Sequence, residues 1–472
     1  MVGRKNEIER LHEAYKSDHS QFIAVYGRRR VGKTFLIREA FDYTFSFQHV
    51  GRANGSRVEQ LLYFRDSLVD SGHTECPMLK SWREAFRELQ KLLEVSKDKR
   101  KVVFIDELPY IATHKSDMVG ALEHFWNGWC SARKDILLII CGSSASWLLK
   151  KIIRDKGGLH NRVTGQIHLS PFTLAECEEY VKAKGLKYTK RQIAECYMIL
   201  GGIPYYWDYL RKGKSIPQCI DEMFFSRDGG LRNEYEELFR SLFESPEPYM
   251  EIVSALGESG TGMTRDELAK KLKQTSCGPF SNKLDDLEKC GFIEKFRTFG
   301  LSKNGGSYRL MDNFTLFYFK FMRKNCDHDE RFWSNNAKTP MFFAWSGYAF
   351  ERLCVQHLSQ IKTALGISGV KSSVSVWRHS PDDEYPLGAQ IDLVIDRDDG
   401  IINLCEMKFS KSEFIITKKY NAELDAREAC FAAVTKSRKT LHRTFVTAEG
   451  VLENEYSDDI QSKVQLEDLF KR

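Results

Sequence analysis

The sequence predicts an α/β protein that begins with a parallel sheet built around a phosphate-binding loop and continues into further modules. Three observations support this prediction. Residues 21–41, QFIAVYGRRRVGKTFLIREAF, read as a short apolar strand, a glycine-containing loop and an amphipathic helix. Residues 246–310 read as three helices followed by a hairpin. Residues 389–409, AQIDLVIDRDDGIINLCEMKF, read as two strands joined by a tight turn.

The composition is that of an ordinary globular protein, with 42% hydrophobic and 29% charged residues. A chain of 472 residues is too long for a single hydrophobic core. The net charge of +6 permits contact with a polyanion but does not require it. The apolar runs are strand-sized and the N-terminus has no apolar signal region, so we expect no membrane partner. The 12 cysteines form no CxxC pair, which favours reduced thiols in a cytoplasmic protein over a zinc site.

The glycine-containing loop has the spacing G-x-x-x-x-G-K-T in a strand–loop–helix context. Gly27 and Gly32 allow backbone N–H groups to turn toward phosphates, and the following helix adds its positive dipole end. Lys33 is expected to reach the β and γ phosphates, and the Thr34 hydroxyl to hold Mg²⁺. The alternative is a turn that binds nothing. The predicted nucleotide-contacting residues of the loop are Gly27, Arg28, Arg29, Arg30, Val31, Gly32, Lys33, Thr34 and Phe35.

Two further predicted strands end in polar residues. KVVFIDELPYI ends its apolar run in Asp106 and Glu107. At the carboxyl end of a parallel strand, Asp106 can accept Mg²⁺ through a water and Glu107 can polarise the attacking water; otherwise the two acids merely cap the next helix. The next strand ends in Ser143 and Ser144. A hydroxyl there either senses the γ phosphate or starts a helix.

These motifs resemble those of the archaeal-type P-loop ATPases of the STAND-like branch of AAA+ proteins. The resemblance extends to the opening residues Val2, Gly3 and Arg4, to CGSS, and to GGIPYY at 201–206. It implies ATP as the nucleotide, with the opening segment packed on the adenine. It also implies a helical lid whose Gly-x-Pro turn, at Pro204, lies near the nucleotide.

The same resemblance indicates an arginine near the phosphates. The segment HNRVTGQIHLSPF, residues 160–172, resembles the stretch in which the family places such an arginine. Arg162 is therefore a candidate for a catalytic role beside Lys33 and Glu107.

A winged helix is predicted after the lid. Its third helix should supply donors to DNA, but it presents Asp285, Asp286 and Glu288 against a single Lys283. Because these acids repel a duplex, the sequence favours contact with a protein partner or another domain over contact with DNA.

The last predicted hairpin carries Asp392 on its first strand, and Glu406 and Lys408 on its second. A three-residue loop, 398–400, with Gly400 in the left-handed region would place Asp392 directly opposite Glu406. A two-residue turn without a bulge would send the two carboxylates to opposite faces of the sheet.

Two carboxylates on one face suit Mg²⁺, which prefers oxygen ligands. A metal ion and a nearby lysine can generate a hydroxide that attacks a phosphodiester. Asp392, Glu406 and Lys408 are thus catalytic candidates, and Glu351 on the preceding helix could add a third metal ligand. The order of helix, strand, aspartate, turn and E-x-K resembles the PD-(D/E)XK nuclease superfamily. Gln390 and Ile391 stand where that family often has a proline.

The resulting prediction is an α/β chain of four modules. They are a P-loop ATPase core (1–170), a helical lid (171–232), a winged helix (233–325) and a restriction-endonuclease-like domain (326–472). ATP and Mg²⁺ are the expected cofactors, and nucleic acid, with DNA favoured, the expected partner.

Several alternatives stay open for this chain. The last domain either cuts nucleic acid, binds it without cutting, or holds only a surface salt bridge. The whole chain could instead be an ATP-gated regulator or scaffold, or an ATP-driven ring, and a homo-oligomer is therefore left open.

Overall fold

The computed structural model describes residues 2–113, 116–153, 159, 161–260, 262–300, 306–325, 329–337, 339–385 and 388–472. These residues divide into two compact units. The first comprises Met1–Pro171 with Glu237–Pro246, and the second Phe172–Glu236 with Glu247–Arg472. The predicted α/β class is confirmed, because the first unit contains a parallel sheet and the second contains a separate mixed sheet. No helix in the described part of the chain has the length and hydrophobicity of a transmembrane segment.

The first unit is built on a five-stranded sheet in the order β2-β3-β4-β1-β5, and every pairing is parallel. Strands β3 and β4 are buried along their whole length, as expected for a parallel sheet covered on both faces. Since all five strands run the same way, their carboxyl ends lie at one edge of the sheet. The strands are β1 (Gln21–Tyr26), β2 (Phe47–Val50), β3 (Lys101–Asp106), β4 (Ile136–Gly142) and β5 (Gly165–His168).

Up to residue 171, the described part of the first unit contains seven α-helices, of which α1 precedes the strands and the others lie between them. Apolar residues from the sheet, including Phe22, and from the helices, including Trp82 and Trp126, form one continuous core. The helices are α1 (Lys5–Lys16), α2 (Lys33–Ala40), α3 (Arg57–Asp70), α4 (Trp82–Val95), α5 (Leu108–Ile111), α6 (Met118–Gly128) and α7 (Ala145–Leu148). A π-helical turn, Leu149–Ile153, follows α7.

A later segment of the chain returns to the first unit. Helix α12 (Glu234–Leu242) begins in the second unit, whereas residues 237–246 group with the first. The Tyr110 hydroxyl donates to the Ser241 carbonyl at 2.8 Å, and Arg29 donates to the Glu237 carbonyl at 3.2 Å. Residues 237–246 were predicted as part of the winged helix. Their grouping with the first unit depends on long-range contacts, which leave no local signal in the sequence.

The second unit opens with short helices in the region predicted as a lid. Thr173 with Glu176, Thr189 with Gln192, and Ser215 with Gln218 form capping boxes that start three of them. The helices are α8 (Leu174–Ala183), α9 (Lys190–Leu200), α10 (Pro204–Trp207) and α11 (Ile216–Ile220).

Residues 246–310, within the segment predicted as a winged helix, contain three helices and a small antiparallel sheet in the order β6-β8-β7. Its elements are α13 (Glu247–Gly257), β6 (Met263–Thr264), α14 (Arg265–Lys271), α15 (Gly278–Lys289), β7 (Ile293–Arg297) and β8 (Gly306–Leu310). On α15, Asp285 pairs with Lys289, and Asp286 accepts a hydrogen bond from the Tyr249 hydroxyl. The hairpin tip, 301–305, lies outside the described residues. The order of elements agrees with the winged-helix interpretation, which stays a prediction.

The rest of the second unit contains a five-stranded sheet in the order β13-β12-β11-β10-β9. Strands β9, β10 and β11 pair antiparallel, whereas β11, β12 and β13 pair parallel. A parallel pair needs a crossover connection, and the helix α21 (Lys418–Thr435) provides it between β11 and β12. The strands are β9 (Ser372–His379), β10 (Ala389–Arg397), β11 (Ile401–Lys408), β12 (Thr440–Thr447) and β13 (Ser462–Gln465). The helices are α16 (Asn313–Phe317), α17 (Arg323–Asn325), α18 (Phe332–Asn336), α19 (Pro340–Gln356), α20 (Leu358–Ala364) and α21 (Lys418–Thr435).

Candidate functional site

The glycine-containing loop joins β1 to α2 at the carboxyl edge of the first sheet. Gly27 has φ 153°, and a Cβ there would lie 2.3 Å from the carbonyl oxygen of Leu169 at the end of β5. Gly32, with φ 90°, directly precedes α2. A side chain at Gly27 would therefore collide with the backbone, and one at Gly32 would be strained. The two glycines of the motif fix the path of the loop.

Lys33 is the first residue of α2, and its side chain is buried. Its ammonium donates to the carbonyl oxygens of Gly27 at 3.2 Å and Arg28 at 3.0 Å. The Lys33 ammonium is thus hydrogen-bonded to the backbone of the loop itself. A phosphate in the loop would offer this ammonium charged acceptors, and charge-assisted hydrogen bonds are stronger than bonds to neutral carbonyls.

Thr34 and Asp106 connect the loop to the end of β3. The Thr34 hydroxyl donates to Oδ2 of Asp106 at 2.7 Å. Oδ1 of the buried Asp106 accepts from the backbone N–H of Glu107 at 2.8 Å and from the Cys141 thiol at 2.5 Å. Burial, and then the Asp106 carboxylate, raise the pKa of Cys141 well above its ordinary value, so this thiol donates rather than ionises.

Glu107 lies one residue beyond β3 in a left-handed backbone conformation, with φ 48°. Its Oε2 atom accepts from the backbone N–H of Ser143 at 3.1 Å and from the Ser143 hydroxyl at 3.0 Å. Ser143 follows β4, which lies between β1 and β3. The structure therefore places the Ser143 side chain on Glu107, while Ser144 occupies the N-cap position of α7 without a side-chain capping bond.

Arg4 braces the loop from the N-terminal segment. Its Nη2 atom donates to the carbonyl oxygens of Ser170 at 2.7 Å and Val31 at 3.4 Å. The guanidinium also lies 3.9 Å from the Glu7 carboxylate. Arg4 is buried, with φ 62° following a left-handed Gly3. This contact with Val31 stabilises the loop, whereas packing on an adenine stays a prediction for Val2, Gly3 and Arg4.

The other loop side chains differ in their surroundings. Arg29 and Arg30 both approach Glu237, Arg30 through an ion pair of 3.7 Å to its carboxylate. Arg28 is buried. Phe35, on the first turn of α2, is exposed. A direct contact of these four side chains with a nucleotide stays a prediction.

Two predicted residues are not joined to the loop by the described contacts. Arg162 is exposed in the turn before β5, and its backbone N–H donates to the Leu159 carbonyl at 3.0 Å. Pro204 begins α10 in the second unit. Their approach to a nucleotide stays a prediction.

The contact between the Cys141 thiol and Asp106 was not predicted from the sequence, although the strand pairing explains it. Strands β3 and β4 pair in parallel with Ile105 beside Ile140, so the next residues, Asp106 and Cys141, are neighbours. The strand order was needed to see this. A chain can place two strands side by side in several orders, and the local sequence does not choose among them.

The residues at this edge fit a nucleoside triphosphate with Mg²⁺. The glycine loop and the start of α2 supply backbone N–H groups, Lys33 supplies a cation, and Thr34 and Asp106 supply the oxygen ligands that Mg²⁺ prefers. Glu107 lies beside them as a carboxylate held by hydrogen bonds from Ser143.

The second candidate site lies on the hairpin β10–β11. Leu393 pairs with Cys405 and Asp396 with Ile402, so residues 398–400 form a three-residue loop, with Gly400 at φ 86°. The paired positions end at Leu393, and β10 is irregular against β9 between Ile391 and Val394, so a position of Asp392 opposite Glu406 is an extension of this register. The three-residue loop is the alternative that favours a common face for the two carboxylates.

The Glu406 carboxylate is paired with two cations and with one hydroxyl group. Its Oε2 atom accepts from the Tyr420 hydroxyl at 2.8 Å and lies 3.1 Å from the Lys408 ammonium. Its Oε1 atom pairs with Arg427. Burial alone would lower the pKa of Lys408, but Glu406 and Tyr420 outweigh it and raise that pKa. Tyr420 and Arg427 both come from α21.

Glu351 and Asp392 share a different environment. Burial first, and the Asp392 carboxylate second, raise the pKa of Glu351 to about 7. Oδ1 of Asp392 accepts from the Gln390 amide at 2.6 Å. Burial lowers the pKa of Arg309, on β8, while Asp392 and Glu351 act in the opposite direction. The Asp392 carboxylate therefore affects the pKa of both Glu351 and Arg309.

A metal site at Asp392 and Glu406, with Glu351 as a third ligand, stays a prediction. Over the described ranges, no three His, Cys, Asp or Glu residues gather closely enough to hold one metal ion. Arg427 and Lys408 both pair with the Glu406 carboxylate. Tyr420 and Arg427 were not predicted from the sequence, because only the packing of α21 on the sheet brings them to Glu406.

Known proteins resemble both the N-terminal part and most of the chain. Residues 1–210 match a family described as an ATPase domain predominantly from Archaea. An uncharacterized protein of Methanocaldococcus jannaschii is 24% identical over 406 residues, 83% of each chain. An uncharacterized ATP-binding protein of the same organism is 44% identical over 41 residues, 9% of this chain and 70% of that protein.

A solved structure shares the fold. The Walker-type ATPase of Pyrococcus abyssi superposes with a TM-score of 0.51 at 21% identity, and the match covers 68% of this chain and 96% of that one.

Proposed function

We propose that residues 1–210, which match the family described as an ATPase domain predominantly from Archaea, hydrolyse ATP at the edge where the loop meets β3. One observation carries the proposal: Thr34 on the loop helix is hydrogen-bonded to Asp106 at the end of β3, with Lys33 and Glu107 on either side. A phosphate-binding cation, a hydroxyl–carboxylate pair and a further carboxylate are the groups that phosphoryl transfer to water requires.

Each residue has a separate role in this proposal. Lys33 and the loop N–H groups would bind the β and γ phosphates, and Thr34 and Asp106 would hold Mg²⁺. When bound, Mg²⁺ neutralises charge on the β and γ phosphates. Glu107 accepts a hydrogen bond from the attacking water and orients it. Ser143 positions the Glu107 carboxylate.

Two variants of the full chain test the proposal. Lys33→Ala should lose binding of a fluorescent ATP analogue, because the phosphates lose their cation. Glu107→Gln should keep that binding and lose at least about 100-fold in phosphate release, because an amide does not accept the water proton. Lys97→Ala and Glu75→Gln, both at exposed positions of the same unit, are the matched controls. Phosphate release by Lys33→Ala at the wild-type rate would contradict the proposal.

A second candidate function concerns the C-terminal module. The three-residue loop of this hairpin favours a common face for Asp392 and Glu406, and Lys408 pairs with Glu406, which supports action on a phosphodiester under the control of the ATPase domain. In this proposal nucleic acid, with DNA favoured, is the substrate. The pairing of Glu406 with Arg427 equally suits the alternative, a regulator or scaffold that binds nucleic acid or a protein without cutting.

Cleavage and binding assays distinguish these functions. Plasmid and single-stranded DNA would be incubated with the full chain, Mg²⁺ and ATP, in parallel with EDTA and with Lys33→Ala. A nuclease predicts cleavage that Lys408→Ala abolishes and that Lys418→Ala, at an exposed position of α21, preserves. Binding without cleavage would support the regulator, and size measurement with and without ATP tests a ring.

A further inference from the structure

A cavity of about 830 Å³ lies within the second unit. Its walls come from α13 and β8 of the predicted winged helix, and from α19 and β10 of the C-terminal module. This volume is in the range of sites that hold a small molecule or a part of a polymer. Asp392 and Glu351 both line the cavity. The predicted winged helix and the predicted C-terminal module therefore enclose one space.

The cavity is lined by more cations than anions. Three acids, Glu258, Glu351 and Asp392, contribute to its walls. The five basic residues are Arg309, Lys320, Arg323, Lys324 and Arg352. Cations that outnumber acids in a concave site attract an anionic ligand.

Two of the arginines that line the cavity carry buried donors without a partner. The Nε and Nη2 atoms of Arg352 are buried and find no hydrogen-bond partner among the described residues, and the same holds for Nε of Arg309. Buried donors are nearly always paired, since leaving one unpaired is unfavourable. An anionic ligand with several oxygens would offer acceptors to these guanidinium groups.

The rim adds basic and aromatic groups. Lys320 and Lys324 are exposed, and neither forms an ion pair with a described residue. Tyr348, on α19 and one turn from Arg352, is 62% exposed, so one face of its ring is open. Phosphate oxygens suit the cations, and a nucleobase suits an open aromatic ring.

We propose that this cavity binds a phosphorylated nucleotide unit of nucleic acid. The phosphate lies at Arg352 and Arg309, the base stacks on Tyr348, and the backbone follows Lys320 and Lys324 at the rim. The inference deepens the second candidate function, because the bound unit lies next to Asp392. Its chemistry is shared by a free nucleotide and by the terminal nucleotide of a strand.

The test uses the full chain carrying Lys33→Ala, so that the loop of the first unit does not bind the probes. Fluorescence anisotropy would compare a 3′-labelled single-stranded DNA of about ten nucleotides carrying a 5′-phosphate with the same strand carrying a 5′-hydroxyl. Unlabelled deoxythymidine monophosphate serves as competitor. The 5′-phosphate strand should bind more tightly, and effective competition by the mononucleotide would identify a free nucleotide as the ligand.

Substitution of Arg352 by Gln should weaken binding of the 5′-phosphate strand about tenfold or more, because a charged hydrogen-bond donor is lost. It should also remove the difference between the two strands. Arg378→Gln, at an exposed position of β9 outside the cavity, is the matched control and should bind normally. Equal binding by Arg352→Gln and the control, or no binding of any probe, would overturn the proposal.

A second variant protects the test from misfolding. The double substitution Lys320→Gln and Lys324→Gln changes only exposed residues, and it should reduce affinity severalfold and flatten the dependence of binding on salt. An unchanged affinity and salt dependence would overturn the proposal even if Arg352→Gln does not fold. If Asp392→Asn binds but no variant cleaves, the nuclease function fails while the binding site stands.

Discussion

The Thr34 hydroxyl donates a hydrogen bond of 2.7 Å to the Asp106 carboxylate. The bond joins the first turn of α2 to the end of β3, although β4 separates β3 from β1 in the sheet. Two oxygen groups from distant parts of the sequence are therefore already adjacent before a ligand is considered. This pair is the expected location of Mg²⁺ beside the phosphates.

Removal of the Thr34 hydroxyl should change the requirement for Mg²⁺. Thr34→Ala leaves Asp106 with its bonds from Glu107 and Cys141 but removes one oxygen ligand. We expect the Mg²⁺ concentration for half-maximal ATP hydrolysis to rise about tenfold or more, as for loss of a charge-assisted contact.

Thr34→Ser keeps the hydroxyl and should restore the wild-type requirement within about twofold. Thr44→Ala, which removes an exposed hydroxyl bonded to the Asp42 carbonyl, is the control. The same Mg²⁺ requirement in Thr34→Ala and wild type would contradict the assigned role.

Ser143 should act on the turnover number of ATP hydrolysis and not on nucleotide affinity. Ser143→Ala removes the 3.0 Å hydroxyl bond to Glu107 and leaves the 3.1 Å backbone bond. Because one of two bonds that orient the carboxylate is lost, we expect kcat to fall about 3- to 10-fold with KM unchanged.

Ser144→Ala is the matched control, because the Ser144 side chain makes no capping bond to α7. A rise in kcat for Ser143→Ala would instead mean that Ser143 holds Glu107 in a resting position. A change in KM alone would show that Ser143 acts on nucleotide binding.

For the first candidate site, the sequence indicated which residues lie at the carboxyl edge of the sheet, whereas their contacts with a nucleotide stay predictions. The loop motif occupies one contiguous segment, and Gly27, Gly32 and Lys33 take their positions from local backbone geometry. Asp106 and Glu107 could be added because parallel strands end at one edge of a sheet. The bond from Ser143 to Glu107 required the position of β4 between β1 and β3, which the sequence leaves open.

The second site could be predicted only in part. Alternation along the strands identified Asp392 and Glu406, but their common face depends on the loop length and on Gly400. The partners Tyr420 and Arg427 could not be predicted, because the helix period does not say which face of α21 packs on the sheet. The grouping of residues 237–246 with the first unit was missed for the same reason: long-range packing leaves no local pattern.

The ion pair between Arg427 and Glu406 should contribute to stability. Their side chains are 24% and 15% exposed, and Lys408 and Tyr420 remain as partners of Glu406 when Arg427 is removed. We therefore expect Arg427→Met to lower the free energy of unfolding by about 1–2 kcal/mol, less than for a fully buried pair. Urea denaturation measures the change.

A double-mutant cycle with Glu406→Gln isolates the pair. The double variant should lose less stability than the sum of the two single variants. Arg438→Met, at an exposed position, should change stability by no more than about 0.5 kcal/mol. Additive effects would show that the two side chains do not stabilise each other.

The buried His357 should make stability depend on pH. Its Nε2 atom accepts from the backbone N–H of Leu174 at 2.9 Å, and its Nδ1 atom lies 2.9 Å from the Leu353 carbonyl, to which it donates. Both nitrogens of the neutral ring are therefore hydrogen-bonded. Burial lowers the pKa of His357 to about 4, and the Leu353 carbonyl acts in the opposite direction.

Between pH 4 and the ordinary histidine pKa of about 6.5, the unfolded chain binds more protons than the folded one. The stabilising contribution is thus complete above about pH 6.5 and is lost as the pH falls toward 4. Between pH 7 and pH 5 the free energy of unfolding should fall by about 2 kcal/mol through this group. His357→Gln should be less stable at pH 7, since it alters a buried hydrogen bond, but it should lose about 2 kcal/mol less over that pH interval. His124→Gln, at an exposed position of α6, is the control and should keep the wild-type pH dependence. An identical pH dependence in His357→Gln and wild type would show that the pKa of His357 does not change on folding.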